Sequence, residues 1–254
     1  MTPLAGRTVL VTRPKHQAAA LSHAIVAAGG QAFEFPALDI ERVPVETLSE
    51  SLVKVALADI LIFVSPNAAQ LGMAAIRTAD YLPSGASIFA VGPGTARELS
   101  ALGVPAVVTP AGQDSEALLA LSQLQLVVGK RVVIVRGVGG RPLMAETLAA
   151  RGAEVHFLEC YRRNQPQADA TALLSHWQSG EIDAVTVTSA ETLHNLAALL
   201  GEAGVPLLTH TPLFAPHEKI AEAARQFGIL NVVTTAGGDA GLADGLINWF
   251  RDAR

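Results

Sequence analysis

Gly103–Asp114 reads GVPAVVTPAGQD, and Gly228–Asp239 reads GILNVVTTAGGD. Seven of the twelve positions are identical at an offset of 125, which chance explains poorly. The correspondence continues outward from this pair. Asp59–Ser65 (DILIFVS) matches Asp183–Ser189 (DAVTVTS) in pattern at an offset of 124, and Gly6–Arg13 (GRTVLVTR) matches Gly129–Arg136 (GKRVVIVR) at 123. Offsets this consistent mark two copies of one unit of about 125 residues. The repeat leaves open whether each copy folds by itself or the two exchange pieces.

The matched pieces include short β-branched runs. Thr8–Thr12, Ile60–Val64, Val132–Val135 and Ala184–Thr188 are nearly continuously apolar, as strands covered on both faces are. Alanine- and leucine-rich stretches at 15–28, 66–77, 94–102, 142–151, 189–200 and 217–227 predict helices between them. Several are closed by a glycine (Gly29, Gly103, Gly152, Gly228), where a helix C-terminus needs φ > 0. The alternation predicts an α/β fold with parallel sheets. Two segments interrupt it, 35–42 and 158–166. Each follows a strand-like run and ends in polar or proline-containing sequence, and both read as crossings between domains.

Composition narrows the function. The 254 residues are half apolar, with 18 basic against 23 acidic side chains and a net charge of −5, as expected of a soluble globular chain of two domains. One cysteine, Cys160, can form neither an intramolecular disulfide nor a thiolate metal site, so a cytoplasmic location is expected. Arg7 interrupts the N-terminus before an apolar leader segment develops, and no stretch gives about 18 uninterrupted apolar residues. No membrane partner is therefore expected. Mild acidity without a basic block removes the electrostatic term that dominates nucleic-acid affinity, so nucleic acid is not expected either.

Common catalytic signatures are missing: HExxH, CxxC, G-x-S-x-G and the Walker A loop do not occur, and the seven histidines show no ligand spacing. No metal site is expected. Two glycine-rich turns follow strands, Gly92-Pro93-Gly94-Thr95 after Ser87–Val91 and Gly137-Val138-Gly139-Gly140 after Val132–Arg136. Neither completes G-x-G-x-x-G, because Arg97 and Pro142 stand at the last position, so the dinucleotide reading is weak. Such turns still let backbone N–H groups at helix starts face an anion, or serve turn geometry alone. Hydroxyls recur where strands end and helices begin: Thr12, Ser65 beside Asn67, Thr95, Thr188-Ser189 and Thr234-Thr235. In a parallel sheet those ends share one edge, where ligands usually sit, although each hydroxyl suits a helix cap equally well. Arg13 and Arg136, at matching points of the two copies, would add positive charge there. Tyr161 lies in the second crossing beside Glu159, Arg162 and Arg163 and could donate a hydrogen bond or pack at the boundary.

With these motifs in order (GRTVLVTRP, FVSPNA, AVGPGTAREL, VVTPAG, VVIVRG, the E-x-Y-R of Glu159–Arg162, and TVTSAETL) the chain resembles the uroporphyrinogen-III synthase family over essentially its whole length. The resemblance implies two flavodoxin-like α/β domains joined by a two-stranded linker, one of them discontinuous: 1–36 with 167–254, and 42–159, with 37–41 and 160–166 as linkers. It implies cyclisation of the octacarboxylate hydroxymethylbilane, with inversion of the last pyrrole ring and release of water, in the interdomain cleft of a monomer that needs no cofactor. The family mechanism passes through an azafulvene cation and a spiro-pyrrolenine. Tyr161 matches the tyrosine proposed to assist departure of the hydroxyl. Ser65, Asn67, Gly92, Thr95, Thr188 and Ser189 match cleft-lining positions. In the second copy, Ala215–Ile220 replaces the glycine and threonine that many relatives keep, so carboxylate binding through Pro216 and Lys219 is the expectation there. The competing readings are a non-catalytic two-domain binder of a small anion and a nucleotide-dependent oxidoreductase.

Overall fold

The computed structural model describes residues 2–252 apart from Leu82, Ser84 and Gln113, so Gln113 of the repeated segment lies outside the described residues. The chain divides into two compact units, Met1–Asp39 with Asn164–Arg254, and Ile40–Arg163. In chain order the first unit opens with β1 (Thr8–Val11), α1 (Lys15–Ala27) and β2 (Gln31–Glu34). The second unit follows with β3 (Asp39–Arg42), α2 (Ser49–Ala56), β4 (Ile60–Phe63), α3 (Pro66–Thr78), β5 (Ser87–Ala90), α4 (Pro93–Ala101), α5 (Ser115–Leu119), β6 (Arg131–Gly137), α6 (Leu143–Ala150) and β7 (Glu154–Asn164). The first unit is completed by α7 (Thr171–Gln178), β8 (Ala184–Thr186), α8 (Ala190–His210), β9 (Leu213–Ala215), α9 (Glu218–Phe227), β10 (Val232–Thr234) and α10 (Gly238–Asp252). Residues 39–41 and 160–164, within the expected linkers, are strand: most of β3 and the end of β7, neighbours in the second sheet.

Each unit holds a five-stranded sheet, ordered β10-β9-β8-β1-β2 in the first and β3-β7-β6-β4-β5 in the second. The inner strands β1, β4 and β6 are largely apolar because both their faces are covered. Val9 and Val11 enter one core with α1 and α10, while Leu10 between them enters the other with α7, α8 and α9. In the second unit Leu61 and Phe63 pack with α2, α3 and α4, and Ile60 and Ile62 with α5 and α6. Full burial of each such side chain contributes about 1.5–3 kcal/mol before the entropy of ordering is counted. Gly29, Gly103, Gly152 and Gly228 all adopt positive φ, as their helix-closing positions require.

The two copies exchange pieces. The first sheet takes β1 and β2 from the first copy and β8, β9 and β10 from the second, and the second sheet takes β6 and β7 from the second copy and β4 and β5 from the first. The repeat offsets carry one register onto the other. Val9 pairs with Ala184 as Val132 pairs with Ile60, Val9 with Ala32 as Val132 with Val155, and Phe214 with Val233 as Phe89 with Val108. Even the strand-end clip is duplicated: the Thr8 amide donates to Asp183 Oδ2 at 2.8 Å and the Arg131 amide to Asp59 Oδ2 at 2.8 Å.

Candidate functional site

In the second unit the C-terminal ends of β4 and β6 open into a cavity of about 210 Å³. Its lining includes Ser65, Ser115, Arg136, Gly140, Arg141 and Tyr161. Ser65 follows β4 and caps α3. Its Oγ accepts the Ala68 amide at 3.0 Å, and Pro66 occupies the first helical position, where a missing N–H costs nothing. Ser65 Oγ also lies 3.0 Å from the Tyr161 hydroxyl, where either oxygen can be the donor. The cap therefore gives α3 its start and fixes a hydroxyl against Tyr161. The helix's N-terminal dipole adds positive potential at that oxygen.

A bulge brings Tyr161 to this point. On β6 and β7, Arg136 pairs with Glu159, but the next residue, Gly137, pairs with Tyr161, leaving Cys160 as the extra residue. One added residue reverses the alternation, so Tyr161 joins Leu158 and Cys160 in the same core instead of following Glu159 to the opposite face. Gly137 makes room for it: a Cβ there would stand 2.7 Å from Tyr161 Cε2. The Tyr161 residue is 4% exposed. Cys160 is almost completely buried, and burial pushes its thiol up to about 12.

Arg136 leaves β6 on the other face. Its side chain is only 10% exposed, its Nε donates to the Gly137 carbonyl at 3.2 Å, and the same nitrogen lies 3.8 Å from Glu159 Oε1. Glu159 also accepts the Gly139 amide at 3.2 Å, and the Arg136 guanidinium carbon stands 4.9 Å from the centre of the Phe157 ring. The helix starts supply further polar groups. Gly92 caps α4 in extended backbone, Pro93 holds its first position and Thr95 is buried in its first turn, while Asn67 is half-buried in the first turn of α3.

The first unit builds its strand ends from the corresponding residues, with a different outcome. Ser189 caps α8 through the Thr192 amide at 3.0 Å, as Ser65 caps α3, and Thr188 beside it is half-buried. Thr12 is fully buried and donates to the Thr186 carbonyl at 2.6 Å, so its hydroxyl ties β1 to β8. Arg13, the counterpart of Arg136, forms an ion pair with Asp239 at the start of α10 and donates to Gln17 Oε1 at 3.3 Å. The start of α9, the segment expected to bind carboxylates, carries Glu218 beside Lys219. Glu218 accepts Thr234 Oγ1 at 2.7 Å and Arg225 Nη1 at 2.6 Å, and these two partners, Thr234 foremost, hold its carboxyl below the usual range. In the same segment Pro216 is buried and Lys219 exposed.

The second unit thus brings Ser65, Arg136 and Tyr161 around one cavity; Arg13, Thr188 and Ser189 belong to the first unit. Glu159, Arg141, Ser115 and Phe157 were not assigned roles from sequence. Reading the copies against each other exposes the first of them, because Pro36 stands where Glu159 does and Leu38 where Tyr161 does. Among the described residues no group of three histidine, cysteine, aspartate or glutamate side chains could hold a metal ion, and no helix is long and apolar enough to cross a membrane.

The family profile described as "Uroporphyrinogen-III synthase HemD" matches residues 19–240. Among curated proteins, uroporphyrinogen-III synthase of Escherichia coli is 34% identical over 227 residues, covering 87% of this chain and 92% of that protein. The Salmonella typhimurium enzyme is 33% identical over 225 residues, covering 87% and 92%. Among solved structures, a mutant uroporphyrinogen III synthase from the extremely thermophilic bacterium Thermus thermophilus superposes with a TM-score of 0.68 at 21% identity, covering 97% of this chain and 98% of that one, a likeness of fold.

Proposed function

The chain belongs to the uroporphyrinogen-III synthase (HemD) family, and we propose from that premise that hydroxymethylbilane is cyclised at the strand ends described above, with Tyr161 as the catalytic residue. The activity is that of a hydro-lyase in tetrapyrrole biosynthesis. The finer assignment rests on one observation, the 3.0 Å contact between the Tyr161 and Ser65 hydroxyls on the wall of the second unit's cavity.

The chemistry asks little of acid strength and much of orientation. The carbon–oxygen bond of the hydroxymethyl group breaks and the oxygen leaves as water after taking up a proton, while the electron-rich pyrrole delocalises the resulting cation. The tyrosine hydroxyl donates a hydrogen bond to that departing oxygen. The Ser65 hydroxyl orients it, itself held by the Ala68 amide of α3. Ring closure without inversion needs no enzyme, so the protein's contribution is to hold a flexible octacarboxylate in the one conformation that closes with inversion. We assign carboxylate and ring contacts to Asn67, Gly92, Thr95 and Arg136 in the second unit and to Thr188, Ser189 and Arg13 in the first. Arg13, its charge matched by Asp239, contributes donors more than net charge. The reading includes a cytoplasmic monomer that takes no cofactor, no nucleic acid and no membrane as partner. Support for the location is the acidic composition and a single, buried cysteine.

The test is incubation of the purified protein with freshly generated hydroxymethylbilane and chromatographic separation of the product isomers. Isomer III is expected; isomer I alone, as forms in buffer, would refute the activity. Tyr161→Phe removes the donor and keeps the ring, so turnover falls by about 100-fold, the lower end of general acid assistance, with an unchanged melting temperature. Unchanged turnover would remove Tyr161 from the mechanism.

A further inference from the structure

Resting on that reading, we propose that the cavity of about 210 Å³ is a subsite for one carboxylate-bearing arm of the substrate, with Arg136 binding the carboxylate and with Glu159 and Phe157 as positioning residues that hold its guanidinium. Size argues for an arm and against the whole substrate, because sites enclosing a complete drug-sized ligand start at about 300 Å³.

Charge argues for an anion. The Arg136 side chain is nine-tenths buried, and removing a guanidinium from water is costly unless it is paired and hydrogen-bonded. Its anionic neighbour Glu159 is two-fifths exposed and reaches only Nε, at 3.8 Å. The fork of Nη groups, which suits a carboxylate bidentately, lies beneath the Gly139–Gly140 turn on the cavity wall. Gly140, at φ +99°, lets the chain pass: a Cβ there would stand 2.4 Å from Arg136 Nη2.

The repeat supplies the control. Arg13 occupies the same position in the other copy, where Asp239 pairs with its charge. The residue equivalent to Asp239 is Asp114, and its side chain instead caps α5 through the Ala117 amide at 2.7 Å. Arg136 therefore lacks the partner its twin has. Glu159 and Phe157 correspond to Pro36 and Glu34, so their hold on the guanidinium is particular to the second unit.

Steady-state kinetics of the wild-type protein, Arg136→Gln, Arg136→Lys, Glu159→Gln and Glu159→Asp with hydroxymethylbilane test this, each variant's melting temperature being measured alongside. Arg136→Gln is expected to raise KM by about 10- to 100-fold with kcat changed less than about 3-fold, the scale of a lost charged hydrogen bond. Arg136→Lys recovers only part, because an ammonium cannot grip bidentately. Glu159→Gln raises KM by a smaller factor, about 3- to 10-fold, and Glu159→Asp restores most of it, which a merely structural defect would not produce. Thermal stabilisation by glutarate is the second arm. Should Arg136→Gln not fold, the Glu159 pair decides alone. Wild-type conversion to isomer III with KM unmoved in the folded Arg136→Gln protein, or in both Glu159 variants, would overturn the subsite and leave the family activity intact. Absence of isomer III from the wild-type reaction would overturn the activity itself. Loss of glutarate stabilisation with unchanged KM would show a free-anion site and overturn the substrate-arm assignment.

Discussion

At the scale of single residues, the second unit shows how one inserted position changes chemistry. Cys160 is the extra residue of the β7 bulge, and its presence turns Tyr161 toward Ser65. The cysteine itself is chemically silent in the folded protein. Burial raises its thiol from 9.0 to about 12, so the neutral form is favoured by folding. The associated stability is fully present below pH 9 and is lost as pH rises toward 12, the sign for a group whose folded pKa is raised. At pH 8, iodoacetamide is expected to modify the native chain about 100- to 1,000-fold more slowly than the urea-unfolded chain, because thiolate is the reacting species. Comparable rates would mean that the thiol is open to solvent. Asp59 acts in the opposite sense: its hydrogen bonds from Arg131 lower its pKa, so its contribution is present above pH 3.8 and fades as pH falls through the lowered value.

At the scale of elements, the site depends on how closely α3 lies on β6. Gly72 faces the strand, and a Cβ there would come within 2.3 Å of Val135 Cγ1. Gly72→Ala sets overpacking, about 1–3 kcal/mol, against roughly 1 kcal/mol of improved helix propensity. A net loss of stability in urea unfolding is expected, and Val135→Ala in the same chain should relieve part of the clash, giving a favourable coupling energy in the double-mutant cycle. Stability equal to or above wild type in the single variant would show that α3 can back away. α3 also carries the Ser65 cap, so a helix displaced by the extra methyl moves the hydroxyl that meets Tyr161.

At the scale of the molecule, the duplicated sequence and the folded units do not coincide. Residues 40–163 contain every strand pair of the second sheet apart from the end residues Asp39 of β3 and Asn164 of β7, whereas residues 1–123 hold β1 and β2 of one sheet and β3, β4 and β5 of the other. The fragment 40–163 is therefore expected to melt cooperatively by circular dichroism, and the fragment 1–123, although one copy of the repeat, is not. A cooperative transition in 1–123 would mean that each copy can close a sheet of its own. Much was legible beforehand. Continuous apolar runs such as 60–64 and 132–135 required strands buried on both sides, glycine at 103 and 228 required helix ends, and the offsets of 123–125 required duplication, because each is a consequence of local sterics or of pattern along the chain. Ser65 and Tyr161 were legible as types in suggestive places, through resemblance. Their 3.0 Å meeting was not, nor was the pairing of Arg13 with Asp239 where its counterpart Arg136 has no such partner. Pairing of Leu10 with Val185 or Ile62 with Ile134 joins residues far apart in sequence, and either copy's strands have the same pattern. Local patterning is indifferent to that choice; helix packing on both faces and the register across each sheet settle it.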